Sequence, residues 1–130
     1  MSHDFLSLNY EKIVHQITKF ISQQVKKKKK NGVVIGLSGG LDSSVCLVLA
    51  SKALGKNRIF GLIMPERGQT PQKDIDNAYD VAHKLRIKYK EIHFERAKKI
   101  LLSNLPNDKL SGGNLSARLR MAFLYHYAGK

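Results

Sequence analysis

At 130 residues the chain has room for one domain and one core, and its 42% hydrophobic and 25% charged content is that of a soluble globular protein. Membrane and secreted classes are not indicated: no apolar run approaches a span of ~20 residues, Met1-Ser2-His3-Asp4-Phe5 lacks the basic and apolar parts of a signal, and the single Cys46 cannot form an internal disulfide, so a cytoplasmic protein is expected. The formal charge of +13 raises nucleic-acid binding, but the five lysines at 26–30 read as a solvated helix end, no aromatics interleave the cations, and no nucleic-acid partner is expected.

Tyr10, Ile13, Val14, Ile17, Phe20, Ile21 and Val25 recur at helical spacing and predict an amphipathic helix ending in the lysine run. Asn31-Gly32 is its expected stop. Val33-Val34-Ile35 opens an apolar β-branched run, the pattern of a buried strand. The run breaks at Ser38-Gly39-Gly40 and passes into an apolar helix over residues 45–54, with Cys46 as a small core residue. Gly55-Lys56-Asn57 ends that helix, and residues 58–64 predict a second buried strand. Strand, helix and strand within ~32 residues make a right-handed βαβ unit with parallel strands.

Pro65-Glu66-Arg67-Gly68-Gln69 is a loop leaving the carboxyl end of the second strand. Thr70 is expected to cap a third helix with Pro71 in its first position. Ile75, Ala78, Ala82 and Leu85 form the inner face of that helix, while Asp74 and Asp76 read as dipole and solubility residues rather than metal ligands. Residues 87–94 alternate as a third strand, 97–102 predict a short helix and 106–113 a loop. The last helix, 114–127, begins at the capping residue Asn114 and turns Leu115, Leu119, Ala122, Phe123 and Tyr127 inward. His83 and His93 have no second ligand at metal spacing and read as structural or surface residues. The predicted fold class is α/β, a parallel β-sheet flanked by helices in one domain over residues 1–130.

The chemistry concentrates where the first strand becomes the second helix. Two glycines let the backbone turn tightly and aim several N–H groups to one side, and the helix N-terminus adds positive potential. Ser38, Ser43 and Ser44 add hydroxyls, so Gly36, Leu37, Ser38, Gly39, Gly40, Leu41, Asp42, Ser43 and Ser44 form a site suited to nucleotide phosphates. Asp42 would repel a bare phosphate, and a magnesium ion bridging carboxylate and phosphate removes that conflict. A Walker A loop is excluded because no lysine lies between Lys30 and Lys52, and a dinucleotide fingerprint because Ser38 stands where its second glycine would fall. Ligands of parallel sheets lie beyond the carboxyl ends of the strands, so backbone groups at Met64 are placed to read an adenine edge.

Ser38-Gly39-Gly40-Leu41-Asp42-Ser43-Ser44 resembles the pyrophosphate loop (PP-loop, SGGxDS) of the ATP pyrophosphatases. Two further stretches narrow the resemblance. Gly61-Leu62-Ile63-Met64-Pro65 with Thr70-Pro71-Gln72-Lys73-Asp74-Ile75-Asp76-Asn77-Ala78 is similar to the MP…TPxxDxxDA segment of ammonia-dependent NAD synthetases. Gly113-Asn114-Leu115-Ser116-Ala117-Arg118-Leu119-Arg120-Met121 is similar to their GNxxARxRM helix. The resemblance implies a Rossmann-like, adenine nucleotide alpha hydrolase-like domain whose C-terminal side is not represented here. It also implies a ligase that uses ATP and magnesium to amidate nicotinate adenine dinucleotide (deamido-NAD) with free ammonia, through an adenylated intermediate, releasing AMP and pyrophosphate. Asp42, as metal ligand, and Ser38 are then the catalytic candidates. By the same resemblance Asn114 and Arg118 touch deamido-NAD, in a site completed across a homodimer interface. The alternatives are a tRNA-modifying PP-loop enzyme, which the basic charge would suit, and a nucleotide-binding remnant without catalysis.

Overall fold

The computed structural model describes residues 7–106 and 108–130. Residues 1–5, where a signal is not indicated, and Asn107 of the predicted 106–113 loop lie outside that description. The β-branched run forms β1 (Val33–Gly36), and the sheet continues with β2 (Ile59–Ile63) and β3 (Lys88–Glu91). All pairing is parallel in the order β1-β2-β3, with Val33 opposite Ile59 and Phe60 opposite Lys88. Among the described residues five α-helices flank it: α1 (Tyr10–Lys27), α2 (Leu41–Leu54), α3 (Gln72–Lys84), α4 (Glu95–Leu102) and α5 (Lys109–Ala128). No helix among the described residues is long and apolar enough to cross a membrane.

Strand side chains alternate between faces, and the core divides accordingly. Ile59 and Ile63 join Leu47 and Ala50 of α2 and Ala78 and Ala82 of α3 on one face. Leu62, Met64 and Phe94 join Leu119, Phe123 and Leu124 of α5 on the other. Phe60 stacks on Tyr127 of α5, ring centroids 5.5 Å apart, which fixes α5 against the sheet. Leu47, Leu62, Ile63 and Phe94 are fully buried, each worth about 1.5–3 kcal/mol of transfer free energy. α1 packs on α2 rather than on the sheet, where the Ser22 hydroxyl donates to the Ala53 carbonyl at 3.0 Å.

The elements come where periodicity puts them, and the departures have physical causes. β1 is half-buried rather than buried, because among the described residues it is paired on one edge only. Phe20 and Ile17 of the apolar stripe of α1 are exposed, since α2 covers only part of that face. Cys46 is exposed, not a core residue. α1 stops before Asn31-Gly32: Lys29 takes the left-handed conformation at φ 53°, and Gly32 is required instead by close approach, a Cβ there falling 2.1 Å from the Arg58 carbonyl oxygen. Pro71 is itself the N-cap of α3, while Thr70 accepts the Glu66 N–H at 2.9 Å and closes the preceding loop. β3 is shorter than predicted because the chain turns at Phe94 into α4. α5 starts at Lys109, five residues ahead of Asn114, because Asp108 caps it with its carboxylate on the Ser111 N–H and hydroxyl. Gly112 and Gly113 are therefore helical, at about 1 kcal/mol each against alanine, and Ala122 is exposed.

Candidate functional site

The turn from β1 to α2 presents its amides as the glycine pair dictates. Gly39 has φ +78°, and a Cβ there would fall 1.8 Å from the Asp74 carbonyl oxygen, so only glycine permits both the turn and the contact with α3. Gly40 is the N-cap of α2 and offers no side chain, and Asp42 and Ser43 lie inside the first turn. The serines set the loop internally: the Ser38 N–H donates to Ser43 Oγ at 3.2 Å, the two hydroxyls are 3.0 Å apart, the Gly40 N–H donates to Ser38 Oγ at 3.2 Å, and the Ser44 hydroxyl donates to the Gly40 carbonyl at 2.8 Å. The N–H groups of Leu41, Asp42 and Ser43 have no acceptor among the described residues, as expected of a helix start, and remain available to an anion. Asp42 and Leu41 are exposed beside them.

A cavity of about 830 Å³ opens at the carboxyl ends of β1 and β2. Gly36, Leu37, Ser38 and Met64 line it; residues 39–44 lie outside its lining. Its far wall is the α5 face carrying Gly112, Gly113, Ser116, Arg120 and Leu124. The Met64 carbonyl accepts Arg120 Nε at 3.0 Å and is thus already engaged, while the Met64 N–H has no acceptor among the described residues. Asp74 also lines the cavity, while Asp76 is exposed and accepts from Gln72 Nε2 at 2.9 Å.

At the cavity wall lies a charged cluster that the sequence did not suggest. Glu66 is 9% exposed; it pairs directly with Lys98, accepts the hydroxyl of buried Ser116 at 2.7 Å and lies 4.0 Å from Arg120 Nη2. Burial pushes the Glu66 carboxyl up, but the hydrogen bonds from Lys98 and Ser116 and the charges of Lys98 and Arg120 outweigh it, and the group titrates below its ordinary range. The Arg120 guanidinium also stands 5.0 Å over the Phe94 ring. These four residues come from a loop and two helices, and only Ser116 and Arg120, four apart on one face of α5, are joined by spacing. The nearest signal was Arg120, two residues from Arg118 and so on the opposite face of one helix.

Asn114 and Arg118 share a face of α5, as four-residue spacing requires, but it is the outward one; both are exposed and neither lines the cavity. His83 bonds to the Tyr89 hydroxyl at 2.9 Å, and His93 lies 3.0 Å from Glu91, so both have structural partners. No group of three or more His, Cys, Asp or Glu side chains that could hold a metal ion occurs among the described residues.

The sequence pattern of the NAD synthase family matches residues 13–130. The chain belongs to the NAD synthase family. Among curated members, the NH3-dependent NAD(+) synthetase of Methanocaldococcus jannaschii is 47% identical over 125 residues, covering 92% of this chain and 48% of the relative. That of Pyrococcus furiosus is 46% identical over 123 residues, covering 93% and 45%. The solved NH3-dependent NAD synthetase of Campylobacter jejuni superposes with a TM-score of 0.88 at 32% identity, over 95% of this chain and 53% of that one. The chain spans about half the length of the NAD synthase relatives it matches. The parallel sheet flanked by helices is thus the Rossmann-like fold that the PP-loop resemblance implied.

Proposed function

We propose that the chain is the ATP-binding, N-terminal half of an ammonia-dependent NAD synthetase, a ligase of NAD biosynthesis that amidates deamido-NAD. The observation that carries this reading is a loop of the PP-loop pattern with three amides unpartnered among the described residues, next in the chain to Ser38 of the cavity lining beyond the strand ends, in a chain of this family. In the proposed reaction the nicotinate carboxylate attacks the α phosphorus of ATP, and pyrophosphate leaves with the bonding pair. Ammonia then attacks the acyl carbon, AMP departs, and loss of a proton gives the amide. The loop amides and the Ser38 hydroxyl would hold the β and γ phosphates and stabilise the charge that develops on the leaving pyrophosphate. Asp42 fits a magnesium ion: it is exposed, has no ion-pair partner among the described residues, and would share the ion with phosphate oxygens and water. The ion would neutralise phosphate charge.

Asn114 and Arg118 are proposed to meet deamido-NAD from the outward face of α5, in a homodimer whose second copy completes the site. That face supports the proposal, since exposed Leu110, Met121 and Tyr125 fall within about 100° of Asn114 and Arg118 around the helix. The test is pyrophosphate release by the complete protein, expected to require both deamido-NAD and ammonium. Release that required tRNA instead, or ATP binding by calorimetry with no release under any substrate, would overturn the proposal.

A further inference from the structure

The lysine run is one part of a larger array that only the fold assembles. α1 and α3 run against the strands, so the ends of both helices and the starts of all three strands meet at the amino end of the sheet, opposite the cavity. Residues 26–30 contribute five lysines there, and Lys56, Arg58, Lys84, Arg86 and Lys88 join them. Arg58 is tied to the lysine run directly, its Nε donating to the Asn31 carbonyl at 2.6 Å and its Nη2 to the Lys30 carbonyl at 3.4 Å. Strands about 4.8 Å apart then carry the array from α1 across Arg58 to Arg86 and Lys88. All ten side chains are exposed, and none has a carboxylate partner among the described residues. The nearest acids in sequence are Asp80, one turn inside α3, and Glu91, at the other end of β3; Asp42, Glu66, Asp74, Asp76 and Glu95 all lie toward the cavity end. The two non-glycine residues with positive φ among those described, Lys29 at 53° and Arg86 at 54°, both belong to this array. Each follows a helix end where glycine is the ordinary occupant and places a cation there instead.

We infer that this cationic pole binds the phosphate backbone of a double-stranded nucleic acid without regard to sequence. The face offers charge and nothing else. A protein interface needs an apolar centre and a membrane surface needs apolar residues to insert, but none of the exposed large hydrophobics among the described residues falls in the segments that carry the ten cations, 26–30, 56–58 and 84–88. A single strand needs a row of aromatic platforms, and the segments that carry the ten cations, 26–30, 56–58 and 84–88, contain no aromatic residue. Duplex phosphates need only cations along a surface. This departs from the expectation drawn from the sequence, where the lysine run stood alone at one helix end and the other five cations were scattered over three elements.

The test uses fluorescence anisotropy of labelled DNA and RNA duplexes of about 20 base pairs, titrated with the chain at several salt concentrations; binding of about 10⁻⁴–10⁻⁶ M near physiological salt is expected for either duplex. A pole variant, Lys27→Gln, Lys28→Gln, Lys84→Gln and Lys88→Gln, is compared with Lys12→Gln, Lys73→Gln, Arg96→Gln and Lys99→Gln, which removes equal charge from the cavity half. The pole variant is expected to bind at least about tenfold more weakly, with the slope of log K against log salt shallower by about 0.9 for each phosphate no longer neutralised, while the other variant changes little. Equal weakening in both variants, no weakening in either, or tighter binding to phosphatidylserine vesicles than to duplex at the same salt would each overturn the inference. None of these readouts depends on NAD synthetase activity.

Discussion

Asp42 and Glu66 are both carboxylates at the cavity end of the sheet, yet their surroundings give them opposite duties. Asp42 is exposed in the first turn of α2 and makes no hydrogen bond or ion pair within the described protein, so its removal should cost little stability. Asp42→Asn is expected to weaken magnesium-dependent ATP binding by about 1.5–3 kcal/mol, the worth of a charged contact, with the melting temperature unchanged; calorimetry and thermal melts on one sample check both. A large fall in melting temperature with nucleotide affinity intact would make Asp42 a structural residue only. Glu66 is the reverse case. Glu66→Gln leaves Lys98 and Arg120 without their counter-charge beside Ser116 and is expected to destabilise the fold by about 1–3 kcal/mol. Because the Glu66 carboxyl is held below its ordinary value of 4.5, its stabilising effect is complete above that pH and is lost as pH falls through the folded-state value. Chemical denaturation from pH 7 downward should therefore show wild type losing its advantage over Glu66→Gln in acid. A constant difference at all pH values would remove the charge from the explanation.

At the scale of elements, α5 shows how a cap and tertiary packing override local propensity. Its first turns carry Gly112 and Gly113, which favour a loop, yet Asp108 holds the Ser111 N–H and the helix is continuous to Ala128. No atom lies within 4 Å of a Cβ built at Gly113, so Gly113→Ala is expected to stabilise the protein by about 0.5–1 kcal/mol. Asp108→Ala should fray the same turns, read as faster hydrogen exchange at residues 111–113 with exchange at Leu119 and Phe123 unaltered. What was legible in the sequence follows the same division between local and distant causes. The βαβ unit, the glycine turn between β1 and α2 and the inner residues Leu119, Phe123 and Tyr127 rest on patterns local in the sequence, and the structure has these elements in place. The start of α5, the edge position of β1 and the exposure of Cys46 depend on partners elsewhere in the chain, which periodicity cannot supply. The Glu66 cluster was illegible for the same reason, since a loop and two helices contribute to it. The site roles of Asn114 and Arg118 came from resemblance, and the fold places these residues outward without assigning them a ligand.

For the whole molecule, the outward face of α5 is the surface on which the proposed dinucleotide site depends. Leu110 and Tyr125 are 78% and 73% exposed, and Met121 is 41% exposed, with Asn114 and Arg118 set among them. Such a stripe exposes apolar surface at a cost that a second copy would remove, and a symmetric contact would bring both copies of Arg118 into one interface. Met121→Glu sets a charge in the middle of the stripe. In the complete protein it is expected to shift the sedimentation profile from dimer to monomer and to weaken deamido-NAD binding in parallel, while ATP affinity stays within about twofold, under 0.5 kcal/mol. Arg118→Lys separates the interface from the contact. It keeps the charge and leaves the stripe intact, so the dimer should persist. It removes the planar fork that pairs a carboxylate or phosphate through two parallel hydrogen bonds, so deamido-NAD should bind about 1–3 kcal/mol more weakly. Equal dinucleotide affinity in the monomeric and dimeric forms would show that the site does not cross the interface. An unchanged affinity in Arg118→Lys would take that residue out of the site even if the dimer were real.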